Sequence, residues 1–299
     1  MQSDNASPAV AAPIVRHDTI QLGDARVFYR EAGAADAPAV LLLHGFGASS
    51  HMFRELMPRL ADRYHVLAPD LPGFGMTVTD AGFRYDFERL ADVIEAFAAA
   101  KGLQRHAIYV FDYGAPVGWR LALRHPERIS AIVSQNGNAY EEGLSPGWAP
   151  MRAAWADPTP ANRDALRQFN TLEMTRWQYL EGVKDPTLVA PDGWLLAYAA
   201  IERIGVEPQV DLLADYGQNV RLYPQVQEYF RRYQPPTLAI WGRNDPFFLP
   251  PGAEAFKRDN PEAEVRFLDT GHFALETHGP EIAREVGRFL DRHLGAGRP

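Results

Sequence analysis

The sequence contains no cysteine, which excludes disulfides, thiolate metal sites and a cysteine nucleophile but leaves the compartment open. It also lacks any apolar run approaching the roughly 20 residues of a membrane span. Positive charge is in the minority. Lys and Arg number 30 against 38 Asp and Glu, the formal net charge is −8, and no stretch is rich in Lys or Arg. Nucleic acid is therefore not expected as a partner. Phosphate-binding glycine loops are missing as well. His44-Gly45-Phe46-Gly47 and Pro72-Gly73-Phe74-Gly75 fit neither the G-x-G-x-x-G nor the Walker pattern, and no metal-ligand spacing is present. Neither cofactor nor metal is expected. The first residues carry no basic region, and their apolar run is broken by Pro8 and Pro13. Residues 1–13 are thus expected to form a disordered arm rather than a signal peptide, and a soluble cytoplasmic protein is the default.

What is there is ordinary in amount: 46% hydrophobic and 23% charged residues, the balance of a globular protein. The order of segments says more. Thr19–Leu22 and Arg26–Arg30 flank Gly23-Asp24 as a hairpin. Ala39–Leu43, a short unbroken apolar run, reads as a strand buried on both faces. Strands at His65–Ala68, His106–Phe111 and Ile129–Val133 then alternate with helices at His51–Ala61, Asp86–Lys101 and Pro116–Arg124. Such alternation builds a mostly parallel sheet with helices on both faces, the α/β class. From 138 to 232 the pattern changes to helical segments, including Asn162–Gln168 and Thr171–Tyr179, with many Tyr and Trp. Strands return at Thr237–Trp241 and Glu264–Leu268, followed by an amphipathic helix at Glu281–His293. The expected organisation is a core of 14–137 and 233–299 interrupted by a helical cap at 138–232.

Open parallel sheets present their chemistry beyond the carboxyl ends of the strands. After His106–Phe111 comes Asp112, after Thr237–Trp241 comes Asp245, and after Glu264–Leu268 comes His272. Taken singly, Asp112 is readable as a helix N-cap, Asp245 as a turn residue and His272 as a satisfied interior histidine. Taken together, a nucleophile at a strand–helix turn, then an acid, then a histidine, is the order of an α/β-hydrolase triad.

The segments HGFGASSHMF, DLPGFG, VFDYGAPVGWRLALRHPERI, WGRNDPFF and DTGHFALE occur in an order that resembles the α/β hydrolases from about Thr19 to the end. The resemblance is greatest to their epoxide hydrolase and haloalkane dehalogenase branch. Where esterases carry G-x-S-x-G, the central residue here is Asp112. A carboxylate displaces well at sp³ carbon and transfers acyl groups poorly, because the anhydride it would form is itself reactive. The resemblance implies attack by Asp112 to give an alkyl ester. Water activated by His272, itself oriented by Asp245, then hydrolyses that ester, with the N–H groups of Phe46 and Tyr113 as oxyanion hole. Gly47 replaces the proline of the family's HGxP turn, and Val110 stands where the nucleophile turn usually has glycine.

Two leaving groups are consistent with this machinery. A halide wants neutral N–H donors, and at the positions where dehalogenases supply them this chain has Phe46 and Tyr113, neither of whose side chains offers an N–H. The arginines of fluoroacetate-cleaving relatives are likewise absent near the nucleophile. An epoxide oxygen leaves as an alkoxide and wants O–H donation, which the family takes from two cap tyrosines. Tyr216 and Tyr179 match those by position, although Tyr140, Tyr198, Tyr223 and Tyr229 lie in the same region. Phe46, Trp177 and Phe248 are candidates for the substrate pocket. Asp70, His44 and His278 read as structural. The expected activity is epoxide hydrolysis to a vicinal diol, on a small apolar epoxide or a related molecule. A hydrolytic haloalkane or haloacid dehalogenase and a non-catalytic hydrolase-fold binder remain open, as does a homodimer.

Overall fold

The computed structural model describes residues 13–295, so the expected arm lies, apart from Pro13, outside the described residues. Nine strands form one sheet: β1 (Arg16–Leu22), β2 (Ala25–Ala32), β3 (Ala39–Leu43), β4 (His65–Pro69), β5 (Val78–Thr79), β6 (His106–Phe111), β7 (Ile129–Gln135), β8 (Thr237–Gly242) and β9 (Glu264–Leu268). Their order across the sheet is β1-β2-β4-β3-β6-β7-β8-β9, with β5 paired to β2. The β1–β2 hairpin runs antiparallel and joins β4 antiparallel. From β4 to β9 every pairing is parallel.

Successive side chains on a strand face opposite ways, and the core divides accordingly. Leu41 and Leu43 of β3, with Ile108 and Val110 of β6, pack in one layer with the helices Phe87–Ala100 and Gly114–Arg124. Val40 and Leu42, with Ala107, Tyr109 and Phe111, pack in the other with the helices Leu56–Leu60 and Ala274–Leu294. Both faces are covered, which is why these strands read as unbroken apolar runs.

One expected helix is divided and another is extended. The segment expected as one helix at His51–Ala61 is a 3₁₀ turn, Ser50–Phe53, followed by the helix Leu56–Leu60. Pro58 has no N–H to give the carbonyl of Arg54, which a continuous helix would require. The last helix begins at Ala274, earlier than expected, and kinks at His278 ahead of Pro280. Between β7 and β8 the described chain forms no strand. Its α-helices are Ala149–Ala156, Pro160–Ala165, Leu172–Leu180, Asp192–Ile204 and Glu207–Tyr233. Among the described residues no helix is long and apolar enough to cross a membrane.

The connections reverse direction at β3: the chain passes from β3 to β4 on one side and returns to β6 on the other. That switch point opens a crevice at the carboxyl ends of β3 and β6, and the residues following those two strands meet there.

Candidate active site

Asp112 follows β6 directly and adopts a φ of 48°, left-handed backbone that non-glycine residues rarely take. The turn closes because its neighbours lack side chains. A Cβ on Gly45 would overlap the Asp112 side chain, and one on Gly114 would overlap the carbonyl of Leu43. Val110 is accommodated in the same way. A Cβ on Gly118 would come 2.5 Å from its Cγ1, and one on Gly137 3.2 Å from its Cγ2. The space that a glycine at 110 would have left is supplied by glycines packed against it, and the unusual backbone resides in Asp112 itself.

One carboxylate oxygen of Asp112 is fixed. Oδ1 accepts the backbone N–H of Phe46 and that of Tyr113, each at 2.6 Å. The other, Oδ2, lies 3.7 Å from Nε2 of His272, beyond hydrogen-bond reach and free toward the cavity. Asp112 is only 5% exposed. Burial raises its pKa from 3.8 to about 6, against the opposing pull of His272 and the two N–H groups. Behind the histidine, Nδ1 of His272 meets Oδ2 of Asp245 at 2.7 Å. Burial pulls the imidazole pKa down, but the carboxylates of Asp245 and Asp112 outweigh it and hold the value above the ordinary one.

Asp245 is itself fully engaged. Its Oδ1 accepts the N–H groups of Phe247 at 2.7 Å and Phe248 at 3.1 Å. Its Oδ2 accepts Nδ2 of Asn136 at 2.6 Å as well as the histidine. Asn136 follows β7, also with a φ of 48°, and its Oδ1 accepts the N–H of Gly242 at 3.1 Å. Sequence reading missed this residue. An asparagine one step past a strand tolerates left-handed backbone, but its contact with Asp245 joins residues 109 apart and leaves no mark in the local sequence. Phe111 packs on the imidazole with ring centroids 4.6 Å apart.

Asp112, Tyr113 and His272 open on a small cavity. The rest of its wall is mostly apolar: Phe46, Trp148, Met151, Phe169, Leu213 and Phe247, with Gln178 as the added polar group. Among the described residues, no lysine or arginine lines it. Of the expected pocket residues, Phe46 is there. Phe248 lies behind His272 with ring centroids 5.9 Å apart, and Trp177 is 39% exposed, its ring edge-on to Phe247; neither lines this cavity.

The two cap tyrosines also stand outside the wall. Tyr179 stacks on Phe273 at 3.7 Å between ring centroids, and its hydroxyl donates to the carbonyl of Gly47 at 3.0 Å. Tyr216 lies among Tyr113, Trp148 and Phe87, its hydroxyl buried without a partner. Burial raises both phenol pKa values well above the ordinary one.

Asp70 ties its loop together. It accepts N–H groups from Ser50 and Met76 at 2.7 Å each, and its carbonyl accepts the hydroxyl of Thr77. Nε2 of His44 accepts the N–H of Leu71 at 2.9 Å, as a neutral imidazole can, and burial lowers its pKa. His278 sits at the kink, with Nδ1 2.9 Å from the hydroxyl of Thr277. Among the described residues, no group of three or more His, Asp or Glu is arranged to hold a metal ion.

Comparison with known proteins bears on the fold. Residues 38–279 match the family model described as alpha/beta hydrolase fold. An uncharacterized hydrolase of Saccharomyces cerevisiae, YNR064C, is 44% identical over 91% of this chain and 96% of its own. A haloalkane dehalogenase of Bradyrhizobium diazoefficiens is 33% identical over 88% of this chain and 90% of its own. Among solved structures, epoxide hydrolase VrEH1 of Vigna radiata superposes with a TM-score of 0.73. That match covers 93% of this chain and 98% of the other at 22% identity, a likeness of fold.

Proposed function

Since the chain belongs to the alpha/beta hydrolase family, we propose that it hydrolyses epoxides to vicinal diols through a covalent ester on Asp112. The observation that carries this reading is the asymmetry of the Asp112 carboxylate. Oδ1 is held by two N–H groups while Oδ2 is free beside His272 and the cavity. A serine nucleophile would direct the site to acyl transfer. A carboxylate directs it to displacement at sp³ carbon.

In the first step Oδ2 forms a bond to a ring carbon, and the carbon–oxygen bond of the epoxide breaks. In the second, water attacks the carbonyl carbon of the ester while His272 takes its proton. Negative charge then develops on Oδ1, where the N–H groups of Phe46 and Tyr113 already point. Such preorganised donors are worth about 10²–10³ in rate each. Collapse then breaks the bond from the carbonyl carbon to Oδ2, which leaves as the second oxygen of the diol and takes the proton of the new carboxyl. Esterification also prepares the base. It removes the Asp112 charge, one of the two carboxylates that raise the His272 pKa, so more imidazole is neutral when a base is needed. Asp245 holds the ring in place and stabilises the imidazolium.

A buried carboxylate raised to about 6 is costly for a protein that only binds a ligand, which weighs against the non-catalytic reading. Hydrolytic dehalogenation is the second reading, favoured by the 33% identical relative named as a haloalkane dehalogenase. It would need N–H donors for the departing halide, and the side-chain amide of Gln178 in the cavity wall is one such group. The indole N–H of Trp148 is given to the carbonyl of Phe247 at 3.1 Å, and that of Trp155 to Leu213 at 2.9 Å.

The test is intact-protein mass spectrometry on His272→Ala offered a mixed panel of epoxides and haloalkanes. Without its base the enzyme is expected to stall as the ester. An adduct of one whole epoxide mapped to Asp112 supports the reading. An adduct of an alkyl group without its halide replaces it with dehalogenation.

A further inference from the structure

Two features that set this site apart meet at one point. Gly47 stands where the HGxP turn has proline, and its φ is 65°, which a proline ring fixed near about −65° does not reach. The space that a side chain at 47 would fill is taken from the cap. A Cβ there would come 3.1 Å from Oε1 of Gln178. The next cap residue, Tyr179, grips the same turn through the Gly47 carbonyl. The turn and the cap helix Leu172–Leu180 therefore fit each other around Gln178.

Gln178 is 2% exposed, yet the protein satisfies little of it. Its Nε2 reaches the carbonyl of Phe169 only at 3.5 Å, the far edge of hydrogen-bond distance. A glutamine amide carries two N–H donors, and burying one underused costs about 1–3 kcal/mol. The side chain lines the same cavity as Asp112, in a wall otherwise built of Phe, Trp, Met and Leu. The indole of Trp148 and the hydroxyl of Tyr179 are bonded to carbonyls. The hydroxyls of Tyr113 and Tyr216 are buried without a partner; Tyr216 stands outside the wall, which leaves Tyr113 as the rival donor.

We propose that the side-chain amide of Gln178 donates to the epoxide oxygen as Asp112 opens the ring. This assignment rests on the epoxide reading above. The new bond joins Oδ2 of Asp112 to a ring carbon, the pair of electrons from the broken bond stays on oxygen, and the alkoxide is held by the amide N–H. An amide does not surrender its proton, so the alkoxide takes one from water, leaving hydroxide. The proton His272 collects in the second step neutralises that hydroxide, and the sum is one epoxide plus one water giving one diol. With neutral donors only and, among the described residues, no lysine or arginine in the wall, the substrate class is an uncharged epoxide on a small apolar skeleton.

The experiment measures ester accumulation by rapid quench and mass spectrometry in a His272→Ala background, using styrene oxide and 1,2-epoxyhexane as probes. In that background only ring opening is seen. Gln178→Met keeps the length and removes the donors, and Gln178→Leu serves if the first variant fails to fold. Ester formation is expected to slow by about 10- to 100-fold, as when one preorganised donor is lost. In the His272 enzyme, decay of preformed ester is expected to stay within about 2-fold, a split that a general structural defect would not give. Unchanged ester formation in both variants, or loss in Tyr113→Phe in their place, overturns the assignment of Gln178 and leaves the epoxide reading standing. No epoxide adduct even with Gln178 intact overturns both.

Discussion

At the scale of residues, Asp112 is held in a state that the fold resists. Its backbone is left-handed and its carboxyl is buried. The free-energy consequence depends on pH. The carboxyl ionises near 3.8 in the unfolded chain and near about 6 in the folded protein. Below the first value both states bind the proton and burial of the acid costs nothing extra. As pH rises through the interval, the folded state loses stability relative to the unfolded one, reaching a penalty of about 3 kcal/mol above the second. Asp112→Asn removes the charge and keeps an oxygen for the N–H groups of Phe46 and Tyr113. It should be inactive and more stable than the parent at pH 8, with the advantage shrinking toward nothing near pH 4. Denaturant unfolding at the two pH values checks this, on protein whose mass shows the asparagine has not deamidated. Equal stability of the two proteins at pH 8 would mean that burial imposes no such penalty. The same ionisation governs the first chemical step, so kcat/KM should fall as pH drops below about 6.

At the scale of elements, the cap helix Leu172–Leu180 and the turn after β3 act as a pair. Tyr179 joins them through Gly47, two residues from the glycine that admits the Asp112 side chain and one from the N–H of Phe46 that holds it. Tyr179→Phe should lower stability by about 1 kcal/mol, seen as a Tm lower by a few degrees. It should slow ester hydrolysis a few-fold as the Phe46 N–H loosens, and leave ring opening nearly unchanged. A collapse of ring opening at unchanged Tm would instead give the phenol a chemical role.

This pairing also shows where the sequence ran out. The strands and the positions of Asp112, Asp245 and His272 were legible because an apolar run followed by a turn marks the carboxyl edge of a parallel sheet, and that edge is defined locally. Gln178 and Asn136 were not. One depends on which face of a cap helix closes over the site, the other on the approach of β7 to the loop after β8. Neither contact leaves a spacing along the chain. The tyrosines show a related limit: position in the 138–232 segment did not say whether a phenol lines the cavity, and neither Tyr179 nor Tyr216 does. Val110 looked like an obstacle because the glycines that relieve it lie 8 and 27 residues away.

At the scale of the whole molecule, the sheet brings together Asp245, His272 and Asp112 from the ends of β8, β9 and β6 and Asn136 from the end of β7, and the segment between β7 and β8 supplies Trp148, Met151, Phe169 and Leu213 of the apolar wall. The two-step chemistry that this assembly is proposed to perform makes a specific demand on the oxygen atoms. Water attacks the ester carbonyl, so the oxygen first delivered to product comes from the Asp112 carboxylate, and the solvent oxygen remains in the protein. The decisive measurement is a single turnover with enzyme in excess over styrene oxide in ¹⁸O-labelled water. A covalent Asp112 ester requires unlabelled diol and a gain of about 2 Da on the peptide carrying Asp112. Label in the diol from that first turnover, with none in the peptide, would mean that water attacks the epoxide directly and that Asp112 is not the nucleophile.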